Sequence, residues 1–336
     1  MKKKYTLFIV LFLSLTIYAQ DTFSIIAVDP ETGEVGSAGA SCVDGIGDFG
    51  GLIDIITDII PGRGGVNSQA FVCIPNTNLA NAIDQMEAGL SPDEIIDYLI
   101  NNDDCSSQNF NPEFRQYGIA DLDPEGNPRT AGFTGSLADD FKDDRQGATY
   151  SVQGNILLNE TVLLNMEDNF NTTEGTLADK LMAAMQGANF AGADMRCLDR
   201  GTSSTSAYLV VYQATDTPGN PSLELNIEEM PFGEEPIDSL QVLYDNALSL
   251  RDNSLANAVQ VYPNPISDQF QVVIAPSTFI TKLEVFDVTG KQVHLQSQFS
   301  GLETGEVIDS SSYKKGVYFL RITGVTGTHT IKIIKN

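Results

Sequence analysis

The stretch TFSIIAVDPETGEVGSAGASCV, Thr22–Val43, decides how the first part of this 336-residue chain folds. Thr22–Val28 is rich in β-branched and aromatic residues, which favour strands. Asp29–Gly33 then gathers residues that favour turns, and Val35–Val43 is a second strand-like run. The Gly and Ala residues of that run indicate close packing against another layer. The stretch therefore predicts two strands joined by a turn at the start of a layered domain.

The rest of the body mixes strand and helix patterns in an order typical of an α+β fold. Ser91 and Glu94 form a capping box around Pro92, which marks the start of one helix. Further strands are predicted at 64–74, 115–122, 129–134, 148–152, 204–212 and 223–227, and helices at 78–88, 92–100, 160–170, 177–190 and 236–250. Hairpins come first, a helical pair lies between strands, and strands follow again. This order favours packed α and β layers over an alternating parallel sheet.

The first residues have the pattern of a secretion signal. Lys2–Lys4 form a positive segment, residues 7–17 are almost wholly apolar, and Ala19 is a small residue at a suitable distance for cleavage. The apolar run is too short for a comfortable membrane span. We therefore expect a signal peptide at 1–19, cleaved after Ala19 or Gln20, with a retained N-terminal anchor as the alternative. We expect no membrane span after cleavage.

Charge divides the chain into two parts. Residues 20–257 hold nine Lys and Arg against 39 Asp and Glu, whereas residues 258–336 hold seven against six. A body with a formal charge of −30 repels nucleic acid and anionic membrane surfaces, so we expect no nucleic-acid partner. The change in charge places a boundary near residue 255, with a body at 20–252, a linker at 253–259 and a separate tail at 260–336.

Four cysteines, Cys42, Cys73, Cys105 and Cys197, all lie in the body. None is in a Cys-x-x-Cys pair, which excludes zinc-ribbon and thioredoxin-type motifs. An exported chain is expected to form two disulfides, and four cysteines allow three pairings. We favour Cys42–Cys73 with Cys105–Cys197, because the first two end apolar strand-like runs and the other two lie in polar loop sequence.

Histidine is absent from the body, since His294 and His329 both lie in the tail. This excludes a Ser-His-Asp triad, a Cys-His pair and a histidine-ligated metal centre from the body. The remaining groups for catalysis are carboxylates, Lys142, Lys180 and a free α-amine. An α-amine titrates at about pH 8 and can act as the base for the hydroxyl of its own residue.

Two acidic segments partly match metal-binding loops. Asp121–Asn127 has alternating acids and a Gly at position six, but Gly132 stands at position twelve, where a calcium loop needs a bidentate Glu. A hairpin turn therefore accounts for this segment better. Asp139–Asp144 is a dense carboxylate run, for which we expect a solvated loop, with calcium binding as an open alternative. We expect no bound metal and no cofactor.

The tail has strand patterns at 269–274, 282–287, 317–322 and 328–334, which predict a small all-β sandwich. Its motifs are VYPNP (261–265), LEVFDVTGKQV (283–293), KKGVYFLRI (314–322) and IKIIK (331–335). Together they resemble the C-terminal sorting domain of type IX secretion substrates in Bacteroidota, over residues 260–336. The resemblance implies handling by the type IX secretion machinery and export across the outer membrane. It usually implies removal of the tail, and often attachment to the cell surface.

The body also carries motifs in a family-specific order. These are TFSIIAVDPETGEVG (22–36), NSQAF (67–71), GFTG (132–135), SVQGNIL (151–157), GADMR (192–196) and TSAYLVV (205–211). They resemble a bacterial and archaeal family of unknown function that is grouped with the N-terminal-nucleophile (Ntn) hydrolases. The resemblance covers about residues 22–250 and implies a four-layer αββα sandwich.

The resemblance also implies a nucleophile. In an Ntn hydrolase the nucleophile heads the first strand and its own amine replaces histidine, and the matching residue here is Thr22. Cleavage after Ala19 or Gln20 would leave residues ahead of Thr22, so its amine is free only if the chain is trimmed further. The first hypothesis is therefore an exported amidohydrolase for small amides or cell-wall peptides. The alternatives are a non-catalytic surface binding protein that retains the fold and a metal-binding surface module that uses the acidic loops.

Five other residues are candidates for the same site. Asn155, with Gln153 and Gly154, offers donors to an oxyanion or a substrate, because amide side chains and a Gly backbone are suitable donors. Asp194 and Arg196 can pair and position a substrate carboxylate. The simpler alternatives are a turn at Asn155 and a salt bridge that closes a loop.

Overall fold

A computed structural model describes residues 22–275, 280–297, 305–324 and 327–336. The signal peptide predicted at 1–19 and its cleavage sites lie outside these residues. The chain divides into two compact units between Gln241 and Val242, and each unit is described by itself.

The first unit contains a six-stranded antiparallel sheet built around β1, Thr22–Val28. The chain turns back after β1, with Thr22 opposite Ser41 in the next strand. Gly33 has a φ of 73° in this turn, a left-handed conformation that glycine adopts without steric cost. The other strands are β2 Val35–Ser41, β7 Asp143–Gln146, β8 Tyr150–Gly154, β9 Ser206–Tyr212 and β10 Leu223–Ile227, and the order is β10-β9-β2-β1-β8-β7. The two strands and turn predicted from the opening stretch are confirmed.

A second antiparallel sheet in this unit has four strands in sequence order. They are β3 Thr57–Ile60, β4 Gly64–Gln69, β5 Gln116–Leu122 and β6 Pro128–Thr134. The acidic segment at 121–127 spans the turn between β5 and β6, where the Asp123 carboxylate accepts the backbone N–H groups of Glu125 and Asn127 at 2.9 and 2.8 Å. Hydrogen bonds from the Asn127 side chain and backbone lower the pKa of Asp123. The predicted hairpin turn is confirmed.

The described residues include six α-helices: α1 Ile53–Ile56, α2 Thr77–Glu87, α3 Pro92–Asn101, α4 Thr161–Thr172, α5 Leu177–Gly187 and α6 Pro236–Ala258. Helices α2 and α3 pack on the four-stranded sheet, and α4 and α5 pack on the six-stranded sheet. None of the helices in the described part of the chain is both long and apolar enough to cross a membrane.

The two sheets also contact each other, through β1 and β8 on one side and β4 and β5 on the other. Side chains alternate along β5: Tyr117 and Ile119 belong to the core with α2 and α3, whereas Ala120 and Leu122 belong to a second core with strands of the six-stranded sheet. The body is therefore a mixed α and β unit built on antiparallel sheets, in agreement with the predicted class at this level.

The structure differs from the predicted elements most clearly at three places. The strand predicted at 64–74 ends at Gln69, because Ala70 and Phe71 adopt left-handed backbone with φ of 61° and 49° and leave the sheet. No element was predicted between β2 and β4, where the chain forms α1 and β3, whose isoleucines are mostly buried. Helix α6 continues to Ala258 and takes up most of the stretch predicted as a linker at 253–259.

The C-terminal unit has two antiparallel sheets, with strand orders β11-β12-β15 and β14-β13-β16-β17. Its strands are β11 Val259–Tyr262, β12 Gln269–Ile274, β13 Ile280–Asp287, β14 Gln292–Gln296, β15 Glu306–Asp309, β16 Gly316–Gly324 and β17 Gly327–Lys335. Both sheets contribute to one hydrophobic core, which includes Phe270, Leu283 and Leu320. The four predicted tail strands lie within β12, β13, β16 and β17, so the β-rich tail is confirmed.

Candidate active site at the start of the first strand

Thr22 begins β1 at one end of the body and is fully buried. Its backbone N–H donates to the Asn155 side-chain oxygen at 3.1 Å, and the Asn155 N–H donates to the Thr22 carbonyl at 3.1 Å. Gln69 donates from Nε2 to the same carbonyl at 2.9 Å. The register explains the first contact, because Phe23 lies opposite Gly154 and Asn155 is the next residue. The structure therefore brings Thr22 and Asn155 together.

Gln153 and Gly154 are used differently from Asn155. The Gln153 Nε2 donates to the Ser24 hydroxyl at 2.6 Å, so its side chain binds Ser24, the residue of β1 that lies opposite it. The Gly154 carbonyl accepts from Gln116 at 3.0 Å, and a Cβ on Gly154 would lie 2.8 Å from the Leu157 side chain. Only Asn155, of the three predicted donors, has a hydrogen bond to Thr22 that the described contacts show.

Asp194 and Arg196 pair with each other at the same end of the body. The Arg196 guanidinium donates to the two Asp194 carboxylate oxygens at 3.0 and 2.6 Å, in a bidentate pair. The Cys42 N–H donates to this carboxylate at 2.9 Å, and Cys42 follows Ser41, which lies opposite Thr22. Asp194 is fully buried, whereas 26% of the Arg196 side chain is exposed. The pair therefore closes the loop beside Thr22, with the guanidinium reaching the surface.

A buried polar network that the sequence motifs did not reveal continues inward between the sheets. The Ser24 hydroxyl donates to Gln69 Oε1 at 2.6 Å and accepts from Asn67 Nδ2 at 3.0 Å. Gln69 Nε2 donates in turn to Gln116 Oε1 at 2.7 Å. These side chains are neutral, so the Ser24 proton goes to an amide oxygen and not to a base. The available signal was the alternation of Asn67 and Gln69 along one strand, which places both on the same face.

The two predicted disulfides are present, but the favoured pairing of Cys42 with Cys73 and of Cys105 with Cys197 is wrong. Cys42 bonds to Cys197 and Cys73 bonds to Cys105, with Cα separations of 5.8 and 5.5 Å. Cys42 and Cys73 follow strands of different sheets, β2 and β4, so ending an apolar run did not bring them together. The 3-10 helix Met195–Arg200 instead brings Cys197 to the end of β2.

The acidic run at 139–144 borders the residues that follow Asn155. The Leu157 N–H donates to the Phe141 carbonyl at 3.0 Å. The last two residues of the run, 143–144, belong to β7, so the predicted solvated loop is wrong for that part. Within the described part of the chain, no group of three or more His, Cys, Asp or Glu side chains is placed to hold a metal ion.

A family of unknown function, DUF1028, matches the chain over residues 22–240. The chain belongs to the DUF1028 family. The crystal structure of a DUF1028 protein from Silicibacter pomeroyi is similar, with 25% sequence identity and a TM-score of 0.52, and the match covers 68% of this chain and 89% of that one. The family description assigns no activity, so any reaction of this DUF1028 body is a proposal.

A secretion-system C-terminal sorting domain matches residues 260–336, behind the DUF1028 body. The protein is therefore a substrate of type IX secretion, and it is secreted or attached to the outer cell surface. An endo-acting ulvan lyase from Formosa agariphila is 33% identical over 78 residues, which are 23% of this chain and 14% of the lyase. The chain therefore spans only a small part of that relative's length, and the lyase activity is stated of that relative.

Proposed function

We propose that the exported body is an Ntn-type amidohydrolase that becomes active when the residues before Thr22 are removed. The observation that carries the proposal is the 3.1 Å hydrogen bond from the Thr22 nitrogen to Asn155 Oδ1. This acceptor would hold the freed α-amine beside the hydroxyl of the same residue. The histidine-free body supports the choice, since an α-amine is the base that this chemistry uses without imidazole.

The packing contacts support the fold that this proposal needs. Helices α2 and α3 pack on one sheet, helices α4 and α5 pack on the other, and the two sheets contact each other. An order of helices, sheet, sheet and helices is the four-layer αββα arrangement of the Ntn class. In that arrangement the nucleophile heads a strand of an inner sheet, and the proposal assigns this role to Thr22 because it is the first residue of β1.

In the proposed reaction, the α-amine of Thr22 both accepts and donates the protons that are transferred. The α-amine of Thr22 takes the proton of its own hydroxyl as the oxygen attacks the amide carbon. The ammonium then gives that proton to the leaving amine, and an ester on Thr22 remains. Water hydrolyses the ester with the same amine as base, which restores the free hydroxyl and releases a carboxylic acid.

Asn155 and Arg196 have separate roles in this proposal. Asn155 orients the amine through Oδ1, so its loss removes orientation and not the nucleophile. Arg196, held in a bidentate pair by Asp194, offers a cation to a substrate carboxylate near the site. Small amides and cell-wall peptides that bear a carboxylate are the substrates that fit both features.

The test compares chains that begin at Thr22 with chains that retain the preceding residues. We expect amide hydrolysis only from the trimmed chain, loss of activity in Thr22→Ala, and retained activity in Thr22→Ser. Thr32→Ala, a substitution in the turn after β1, is the matched control. N-terminal sequencing of the secreted protein shows which form occurs. Hydrolysis by an untrimmed chain that Thr22→Ala leaves unchanged would show that the nucleophile lies elsewhere.

A non-catalytic surface binding protein is the second candidate. It is favoured by the complete burial of Thr22, whose nitrogen is an amide as long as residues precede it. A secreted protein that starts at Gln20 and turns over no amide would support this candidate.

A further inference from the structure

The four-stranded sheet of the C-terminal unit has an outward face opposite the tail core. Along β16, Leu320 and Ile322 belong to that core, so the alternate residues Phe319 and Arg321 lie on the outward face. The strand register places residues of β13, β14 and β17 beside them on the same side. We call this surface the tail face. It includes Phe286, Leu295, Phe319, Arg321, Lys332 and Ile334.

The tail face exposes apolar side chains to solvent. Phe319 and Ile334 are 39% and 40% exposed, and Leu295 is 55% exposed. Phe319 lies opposite Phe286 on one side and Lys332 on the other, so two aromatic residues and a cation form one row across three strands. The outward face of an antiparallel sheet is ordinarily polar. Contiguous apolar surface bordered by polar residues is typical of a protein interaction site.

The tail face is also basic. On its described strands Lys282, Arg321 and Lys332 stand against a single carboxylate, Glu284. Glu284 is nearly buried and pairs with Lys282 at 3.6 Å. The Arg321 guanidinium lies 4.7 Å from the centre of the Phe286 ring, which holds this cation against apolar surface. Positive charge and apolar surface therefore occur together on the tail face.

The outward face of the three-stranded sheet in the same unit has a different character. In β12, Phe270 and Val272 belong to the tail core. The residues that alternate with them are Gln269, Gln271 and Val273. Over their described residues, β11, β12 and β15 contain no Lys or Arg. Folding of the sandwich therefore does not require an outward face that is aromatic and basic, and the tail face has this composition for another reason.

We propose that a protein of the type IX secretion machinery binds the tail face. The sorting domain must be recognised for export, and its core residues are not available for contact. The partner surface that fits has an apolar groove for Phe319 and Ile334, bordered by carboxylates that pair with Arg321 and Lys332. Aromatic residues and Arg are typical of protein interfaces. Anionic membranes instead attract clusters of about four to eight Lys and Arg, more than this face provides.

The experiment expresses variants of the full chain in a bacterium with type IX secretion and measures the exported fraction. Phe319→Ser with Ile334→Ser should lower this fraction at least about tenfold, because it removes the apolar contact. Arg321→Gln with Lys332→Gln should lower it severalfold. This second variant keeps every apolar side chain, so its export separates recognition from folding. The tail face is bound whether or not Thr22 is catalytic.

Each double variant has a matched control outside the tail face. Val288→Ser with Val307→Ser removes two exposed apolar side chains, one in a turn and one in β15. Lys291→Gln with Lys315→Gln removes two exposed cations that lie outside the strands. Both controls should be exported like the parent. Urea unfolding of the purified chains should show that Arg321→Gln with Lys332→Gln is as stable as its control.

Photo-cross-linking in the same cells identifies what the tail face contacts. A photoreactive phenylalanine derivative in place of Phe319 should cross-link the full chain to a protein of the secretion machinery, within a segment that contains Asp or Glu. The same derivative in place of Val307 should give no such product, and Arg321→Gln with Lys332→Gln should abolish the product at 319. A cross-link to lipid, parent-like export of both face variants, or an equal loss of export in the controls would overturn the proposal.

Discussion

Arg115 is fully buried and organises the loop that carries Cys105. Its guanidinium pairs with Asp103 at 3.0 Å and donates to the carbonyls of Cys105 and Ser107 at 3.0 and 2.6 Å. It also donates to the Phe71 carbonyl, at the place where the chain leaves β4. The Arg115 side chain therefore fixes both the end of β4 and the loop that carries Cys105, and a disulfide connects these two segments.

Arg115→Met is expected to destabilise the body by about 3–5 kcal/mol, because it leaves the buried Asp103 carboxylate without its cation. Urea unfolding of the body measures the loss. Adding Asp103→Asn should recover part of it, since the uncompensated charge is then removed. Arg145→Met is the control, because its partner Glu167 and Arg145 itself are partly exposed, and it should cost about 1 kcal/mol or less. A loss in Arg115→Met as small as in Arg145→Met would contradict the prediction.

Among single elements, the N-terminus of α3 is stabilised by contacts whose strength depends on pH. The Glu94 carboxylate accepts from the Ser91 N–H at 2.8 Å and from the Ser91 hydroxyl at 2.7 Å. These hydrogen bonds lower the pKa of Glu94 from 4.5. Because the pKa of Glu94 is lower in the folded state, its carboxylate stabilises the fold above pH 4.5. This stabilisation is lost as the pH falls through the folded-state pKa.

The resulting prediction compares Glu94→Gln with the parent chain between about pH 7 and pH 3. The stability difference should be present at neutral pH and should shrink as the pH falls below 4.5, where the parent loses the charged acceptor too. Asp97→Asn, an exposed substitution in the middle of the same helix, should show no such convergence. Unfolding by urea at each pH gives both curves.

The two disulfides differ in the number of residues that separate their cysteines in the chain. Cys42–Cys197 spans 155 residues and Cys73–Cys105 spans 32. Because a longer closed loop removes more entropy from the unfolded chain, removal of the first is expected to cost about 5 kcal/mol and removal of the second about 4 kcal/mol. Paired Cys→Ala variants, unfolded without reductant, test the order. A larger loss for the Cys73–Cys105 pair would contradict it.

The sequence predicts elements better than it predicts contacts between them. The first hairpin and the start of α3 were predictable, because turn residues, β-branched runs and a capping box act locally. The disulfide pairing was not, because it depends on which sheet each strand joins. The Ser24 network and the left-handed turn at Ala70 were missed for the same reason, since both are fixed by contacts with β5, β8 and the loop held by Arg115.

At the scale of the whole molecule, each unit has its own hydrophobic core. Residues of the body core between the sheets, such as Ile26 and Ile56, come from within 22–212, and the tail core that includes Phe270 and Leu320 comes from residues 259–333. The tail therefore contributes no side chain to this body core. This separation is compatible with a tail that acts as a sorting signal for a body with its own core.

Deletion of residues 260–336 is accordingly expected to leave a folded body that is not exported across the outer membrane. Circular dichroism and amide-exchange protection of the truncated chain should match the body signals of the full chain, because its cores are intact. Cell fractionation should find the truncated chain in the periplasm and the full chain outside.

Fusion of residues 260–336 to an unrelated exported domain is the converse test and should carry that domain outside, because the sorting domain occupies that range. Leu320→Asp in the fusion, which places a charge in the tail core, should abolish export. Normal amounts of the truncated body in the medium would show that the body carries a second export signal.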